Sequence, residues 1–199
     1  MSTFEFREED HSYWLDGQRL PSVTEILRPL KDFSAVPSHI LQAACDYGTA
    51  VHKMVEIYIE GDLHEEALDP GLVGPLRAFK GWQQEHSHLV NPVVERPMCH
   101  PRLGFAGTPD LIYDGIVVVD LKTRPADRNT DSLQCAAYQE LWEANGGLKG
   151  KYEHRVLELK QSGDYVYTRV NDPQAHGMFR DLLAYHRIGN TIEAWRGRK

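Results

Sequence analysis

The stretch Gly107–Lys122 constrains this chain more than any other. It reads Gly-Thr-Pro-Asp-Leu-Ile-Tyr-Asp-Gly-Ile-Val-Val-Val-Asp-Leu-Lys. Two apolar runs, Leu111–Tyr113 and Ile116–Val119, flank an Asp114-Gly115 turn signal, so the segment reads as a β-hairpin. Asp110 sits at the far end of one strand, and Asp120 and Lys122 at the far end of the other. Residues two apart in a strand share a face, which sends Asp120 and Lys122 the same way. Carboxylates that end an apolar strand are costly unless they bind something. Two acids and a lysine at one hairpin mouth suit a hard cation with a cationic helper.

Register makes this a strict requirement. A two-residue loop would pair Tyr113 with Ile116, set Asp110 opposite Val119 and turn Asp120 to the other face. A three-residue loop shifts the pairing by one and brings Asp110 and Asp120 to one face. The hairpin is therefore expected to carry the odd loop. Given that register, Mg²⁺, which takes oxygen ligands at about 2.0–2.1 Å, has two carboxylates and the Leu121 carbonyl available. Lys122 then stands where it can orient water or offset charge on a phosphate.

Composition sets the outer limits. A chain of 199 residues with 41% hydrophobic and 26% charged residues has the makings of one α/β domain. A net charge of -7 counts against a general nucleic-acid coater, though not against an enzyme whose metal ions and few local cations meet the phosphates. Three cysteines, Cys45, Cys99 and Cys135, are odd in number and widely spaced. They suggest a reducing, cytoplasmic setting and supply no four-cysteine metal set. No apolar run spans a bilayer, and the N-terminus lacks a signal-peptide pattern.

In chain order, Phe4–Leu20 reads as a small meander turning at Asp16-Gly17. Ser22 and Glu25 form a capping box that opens a short helix. Residues 31–37 are a connector. Helical spacing runs from Ser38 to about Glu60, with a possible restart at Gly48-Thr49, and Pro70 opens a further helix. Val90–Met98 reads as an edge or bulged strand because of its prolines. After the hairpin, Thr130 or Asp131 is expected to cap a helix that ends at Gly146-Gly147. Strands over Tyr152–Leu159 and Tyr165–Val170 follow, then a helix from Asp172-Pro173 to Trp195 and a frayed basic end. The order implies a mixed sheet flanked by helices, in one domain over 1–199. Its parts are an N-terminal hairpin and short helix (1–37), a core (38–170) and a C-terminal helix (171–199).

Other residues gain meaning from position. His52 and Glu56 share a helix face, and the imidazole can offer a third protein ligand. Glu95, mid-strand, can be an additional acid beside the metal. Gln134 and Tyr138 share a face of the helix after the Asp-Leu-Lys strand, where Gln134 can position a phosphate or a catalytic group and Tyr138 can brace it. His86, His88, His100 and His154 show no ligand spacing and read as ordinary solvent-facing side chains. Trp14, Trp82, Trp142 and Trp195 read as core. No Walker loop, dinucleotide fingerprint or nucleophile elbow is present.

Taken together, Gly48-Thr49-x-x-His52-x-x-x-Glu56, Gly107-Thr108-Pro109-Asp110, Asp120-Leu121-Lys122-Thr123 and Gln134-x-x-x-Tyr138 resemble the PD-(D/E)XK nuclease superfamily, in its RecB-like and phage-exonuclease branch. The resemblance covers roughly Thr49 to Tyr138. It implies a restriction-endonuclease-like αβββαβ core and Mg²⁺- or Mn²⁺-dependent hydrolysis of DNA. It implies His52, Asp110 and Asp120 as metal ligands, Lys122 as the catalytic lysine, and Gln134 and Tyr138 as active-site support. It also implies work in recombination or DNA processing, beside a single-strand annealing or other recombination protein. For a phage-encoded chain this would be in the host cytoplasm. Some relatives hold an iron–sulfur cluster, for which this sequence lacks the cysteines. An endonuclease, or a non-catalytic DNA-binding module on the same fold, stand as alternatives. No motif reports oligomeric state.

Overall fold

Side-chain alternation along the central strands sorts the molecule into two halves. In the computed structural model, which describes residues 2–196 (backbone alone at 193–195), five strands form a mixed sheet. These are β4 (Val93–Val94), β7 (Leu111–Tyr113), β8 (Val117–Lys122), β9 (Glu153–Leu159) and β10 (Tyr165–Arg169), in the order β10-β9-β8-β7-β4. β8 and β9 run parallel; every other neighbouring pair is antiparallel. The parallel step requires a crossover, supplied by helix α4 (Arg128–Ala144).

Odd-numbered residues Leu111, Tyr113, Val117, Val119 and Leu121 face two helices, α2 (Ser38–Glu60) and α3 (Pro70–Glu85). There they meet Val51, Val55, Phe79 and Trp82. Even-numbered Ile112, Val118 and Val156 face α4, α1 (Val23–Leu27) and α5 (Ala175–Arg196), packing with Leu133, Ala136, Leu141 and Phe179. Both faces are covered, which is why these strands read as nearly unbroken apolar runs. The architecture is the α/β class expected, with helix, three strands, helix and strand in the anticipated order.

A three-stranded meander, β1 (Phe4–Arg7), β2 (Ser12–Leu15) and β3 (Gln18–Leu20), stands apart from the main sheet. It leads into the Ser22 capping box, where Ser22 Oγ accepts from Glu25 N–H at 3.1 Å and Glu25 Oε2 accepts from Ser22 N–H at 2.9 Å.

The structure departs from the sequence reading in several places. The single strand expected over Val90–Met98 is split. β4 ends at Val94, Glu95 takes a left-handed φ of 38°, and β5 (Met98–His100) pairs with β6 (Phe105–Gly107) in a separate ribbon. Glu95 thus lies at a corner rather than mid-strand, its N–H donating to the Asp110 carbonyl at 3.0 Å, and Pro97 falls in the break between β4 and β5. Helix α2 runs unbroken through Gly48. Thr49 Oγ donates to the Cys45 carbonyl at 3.0 Å, a bond made inside a helix and not at a cap. Asp127 caps α4 by accepting from Asn129 N–H at 3.2 Å, while Asp131 is turned to Arg124. The last residues of the expected basic end, 197–199, and the Trp195 side chain lie outside the described residues. No described helix is long and apolar enough to cross a membrane.

Candidate metal centre

The hairpin loop decides which side chains meet. β7 pairs with β8 as Leu111 to Val119, Ile112 to Val118 and Tyr113 to Val117, which leaves a three-residue loop. Asp114 and Gly115 adopt left-handed φ values of 51° and 70°, a conformation glycine takes at no steric cost, and Ile116 is the extra residue. Leu111 opposite Val119 sets Asp110 level with Asp120, so the register requirement is met. Upstream, Gly107 allows β6 to lie close to α4, because a Cβ there would stand 3.0–3.2 Å from Val23, Leu141 and Tyr138 side chains. Thr108 Oγ1 shares a 2.9 Å hydrogen bond with the Tyr13 hydroxyl, tying the meander to the approach to Asp110.

Three elements then converge. His52 Nδ1, from α2, lies 3.2 Å from Asp110 Oδ1 and 3.5 Å from Glu95 Oε1. On its other side His52 Nε2 donates to the Leu121 carbonyl at 3.1 Å. Asp110 Oδ2 accepts from Leu121 N–H at 2.6 Å. One β8 residue therefore orients both the histidine and the aspartate. The donor atoms of His52, Glu95 and Asp110 all lie within 4.8 Å of one another, close enough to hold one metal ion.

Asp120 stands beside this group rather than in it. Its carboxylate is wholly buried and pairs with Lys122, and Oδ1 has no hydrogen-bond donor among the described residues. The Leu121 carbonyl, expected as a metal ligand, is engaged by His52. Glu95, expected as an additional acid, is one of the three converging donors. Glu56 is ion-paired with Lys53 at 2.7 Å, on the wall of the same cleft. Gln134 and Tyr138 also reach this cleft; Gln134 Nε2 donates to the Tyr138 hydroxyl at 3.0 Å, and buried Gln134 Oε1 has no partner among the described residues. The cleft, about 820 Å³, lies between the meander, α1, α2 and the hairpin mouth.

Electrostatics distinguishes the members. Burial works against a charged His52, but Asp110 and Glu95 outweigh it and raise its pKa to about 10. Burial would also raise Asp110, yet His52, Lys122 and the Leu121 N–H hold it below its ordinary value. Glu95 is raised, first by burial and then by Asp110 and Glu56, against the pull of His52. Burial, with Asp110 and Asp131 as like charges, pushes Asp120 up to about 7 in spite of Lys122. Burial opposes the Lys122 ammonium, but Asp120 and Asp110 prevail and keep it charged.

Sequence reasoning missed the Arg124–Asp131 pair, in which Arg124 donates to both Asp131 oxygens at 2.6 and 3.1 Å. It also missed Lys31, which lines the cleft, and Tyr13, which is bonded to the cleft residue Thr108. Their only signal is tertiary, since each reaches the site from a distant element.

No protein-family model matches the chain, and no curated protein matches it. Among solved structures, an alkaline exonuclease from Laribacter hongkongensis is 13% identical with a TM-score of 0.38, over 61% of this chain and 68% of that one. The protein SSO0001 is 15% identical with a TM-score of 0.36, over 81% of this chain and 71% of its own.

Proposed function

We propose that this protein is a metal-dependent DNA nuclease of PD-(D/E)XK type, acting on strand ends in DNA processing or recombination as phage exonucleases do. The observation that carries the reading is the convergence of His52 Nδ1, Asp110 Oδ1 and Glu95 Oε1 on one point beside a buried lysine. Two carboxylates and a ring nitrogen demand positive charge there, and the proton on His52 supplies it, which is why that imidazole is held so basic. A divalent ion fits the same demand, with one nitrogen and two oxygens suiting Mn²⁺ or Mg²⁺.

His52, Glu95 and Asp110 would hold the ion, and Asp120, with its donorless oxygen, borders it. When bound, such an ion polarises a phosphodiester and acidifies water. The chain's own residues do the rest. The Nε2–H bond to Leu121 O fixes the His52 tautomer, so Nδ1 carries the lone pair once its proton leaves. Lys122 presents a desolvated ammonium to charge developing on phosphate, and the low dielectric around it strengthens that interaction. Gln134 and the Tyr138 hydroxyl, buried behind the cleft, offer a free carbonyl oxygen and a neutral O–H to position substrate.

The test uses end-labelled linear DNA and closed circles with Mg²⁺, Mn²⁺ or EDTA. Metal-dependent release from ends, with circles spared, is expected. Equal cutting of circles would identify an endonuclease. Absence of metal-dependent cleavage would remove the enzyme reading, and binding that persists in EDTA without hydrolysis would leave a DNA-binding module.

A further inference from the structure

Lys31 is the unmatched cation of the cleft. It follows α1 at the end of a short 3-10 turn (Arg28–Leu30), in what the sequence presents as a plain connector, and its side chain lines the same cleft as His52, Asp110 and Lys122. The other two lysines there are taken: Lys122 pairs with Asp120 and Lys53 with Glu56. Lys31 has no carboxylate partner among the described residues.

Its surroundings sharpen this. Lys31, Lys122 and Arg124 lie within electrostatic reach of one another and of two carboxylates, Asp120 and Asp131. Both carboxylates are fully buried and both are occupied, by Lys122 and by the two-pronged grip of Arg124. Of these three cations, Lys31 alone makes no ion pair with a carboxylate among the described residues. A half-buried ammonium with no paired carboxylate bears a desolvation cost that no ion pair offsets. Burial, followed by the like charges of Lys122 and Arg124, holds Lys31 below its ordinary pKa. A phosphate placed there relieves all of these terms together.

We infer that Lys31 is a substrate-binding residue, taking a phosphate of the nucleic-acid strand next to the one held at the His52–Glu95–Asp110 group. The inference rests on the nuclease reading and extends it: the N-terminal segment becomes part of the substrate site instead of a scaffold for it. The meander and α1 then form one jaw of the cleft, to which Lys31 contributes a cation and Glu8 an acid.

The experiment measures oligonucleotide binding by fluorescence anisotropy, and cleavage in Mn²⁺, for the whole chain and for Lys31→Gln and Lys31→Arg. Lys31→Gln is expected to weaken binding and raise KM by about tenfold at low salt, as for loss of one charge-assisted contact, with kcat changed far less. The slope of log affinity against log salt should fall by about 0.7–0.9, the value of one phosphate contact. Lys31→Arg should restore both. Substrates with a phosphate or a hydroxyl at the strand end separate two sources of the same chemistry. An equal loss on both assigns an internal diester, and a loss confined to the phosphorylated strand assigns its end; either supports the inference. An unchanged salt slope and KM in Lys31→Gln, with wild type binding and cutting normally, overturns it. If the wild type neither binds nor cuts, the nuclease reading has failed instead.

Discussion

Two buried carboxylates, Asp120 on β8 and Glu140 on α4, show how differently one chemical group can be kept. Glu140 is saturated. It accepts from His176 Nδ1 at 3.0 Å and from Arg180 Nε at 3.1 and 3.4 Å, and although burial acts the other way, these donors hold it below its ordinary pKa. Asp120 has Lys122 alone, keeps an oxygen without a donor, and is pushed up to about 7. Glu140 clamps α5 to α4 and has nothing left to offer a ligand. Asp120 retains binding capacity where a cation and a phosphate would need it. Within one helix–sheet framework, unmet demand separates the candidate site carboxylate from the structural one better than burial does.

The sharpest way to break this contrast is Asp110→Ala. It removes a donor of the candidate metal group and the acceptor for Leu121 N–H, so metal binding and cleavage should both fall to background. Calorimetric titration with Mn²⁺ checks it, and undiminished affinity would sink the assignment. Lys122→Ala should keep metal binding while turnover drops by about 10²–10³-fold, the scale for losing one preorganised charge contact. Loss of metal affinity in that variant would merge two roles that the geometry keeps apart.

A pH series on stability probes both regions at once. His154, read from the sequence as solvent-facing, is buried in the Glu140 region, where its Nε2–H donates to Gln139 Oε1 at 2.9 Å; burial, with nearby His176, lowers its pKa to about 4. The unfolded histidine takes a proton from about pH 6.5 downward while the folded one refuses it until about 4. Stability from this group is therefore full above 6.5 and lost as pH falls through that window, by roughly 3 kcal/mol. Asp120 has the opposite sign. Its raised folded pKa makes the metal-free protein lose stability as pH climbs from about 4 to 7. Denaturant melts of His154→Gln and Asp120→Asn should each erase one slope, and a variant that erased neither would contradict the burial argument. Smallest of the set, Glu140→Ala should cost about 1–2 kcal/mol, its partners being partly solvated, and leave kcat of the folded protein intact. A drop in kcat would show the clamp reaching the site.

Much of the central sheet could be read in advance because its information is local. The apolar runs around Asp114-Gly115, the proline at position 70 and the Ser22–Glu25 box each declare themselves within a few residues. The parity of the hairpin followed from requiring Asp110 and Asp120 to share a face. What escaped was decided across distance. Val93-Val94-Glu95 reads as strand, yet Glu95 turns left-handed and reaches His52, which only the packing of α2 against the sheet reveals. The β5–β6 ribbon was hidden because Phe105–Gly107 looks like a lead-in to the hairpin. Lys31 resembled any linker lysine, since its lack of a paired carboxylate shows only once Asp120 and Asp131 are seen beside Lys122 and Arg124.

The three-residue loop has a consequence for how this chain can vary. Ile116 is exposed, Asp114 and Gly115 bond to Val90 and Trp142 mainly through their backbone, and a Cβ on Gly115 would meet its neighbours only at 3.7–4.0 Å, so amino-acid exchange there should be mild wherever a left-handed φ is still allowed. Loop length is another matter. Removing one residue would invert the side of the sheet taken by every β8 side chain, sending Val119 and Leu121 toward α4 and Asp120 and Lys122 toward the apolar helix pair. The loop should therefore behave as a counting device, forgiving in spelling and strict in number. A scan of single substitutions against single deletions over residues 113–117, read out by soluble yield, would display that asymmetry directly.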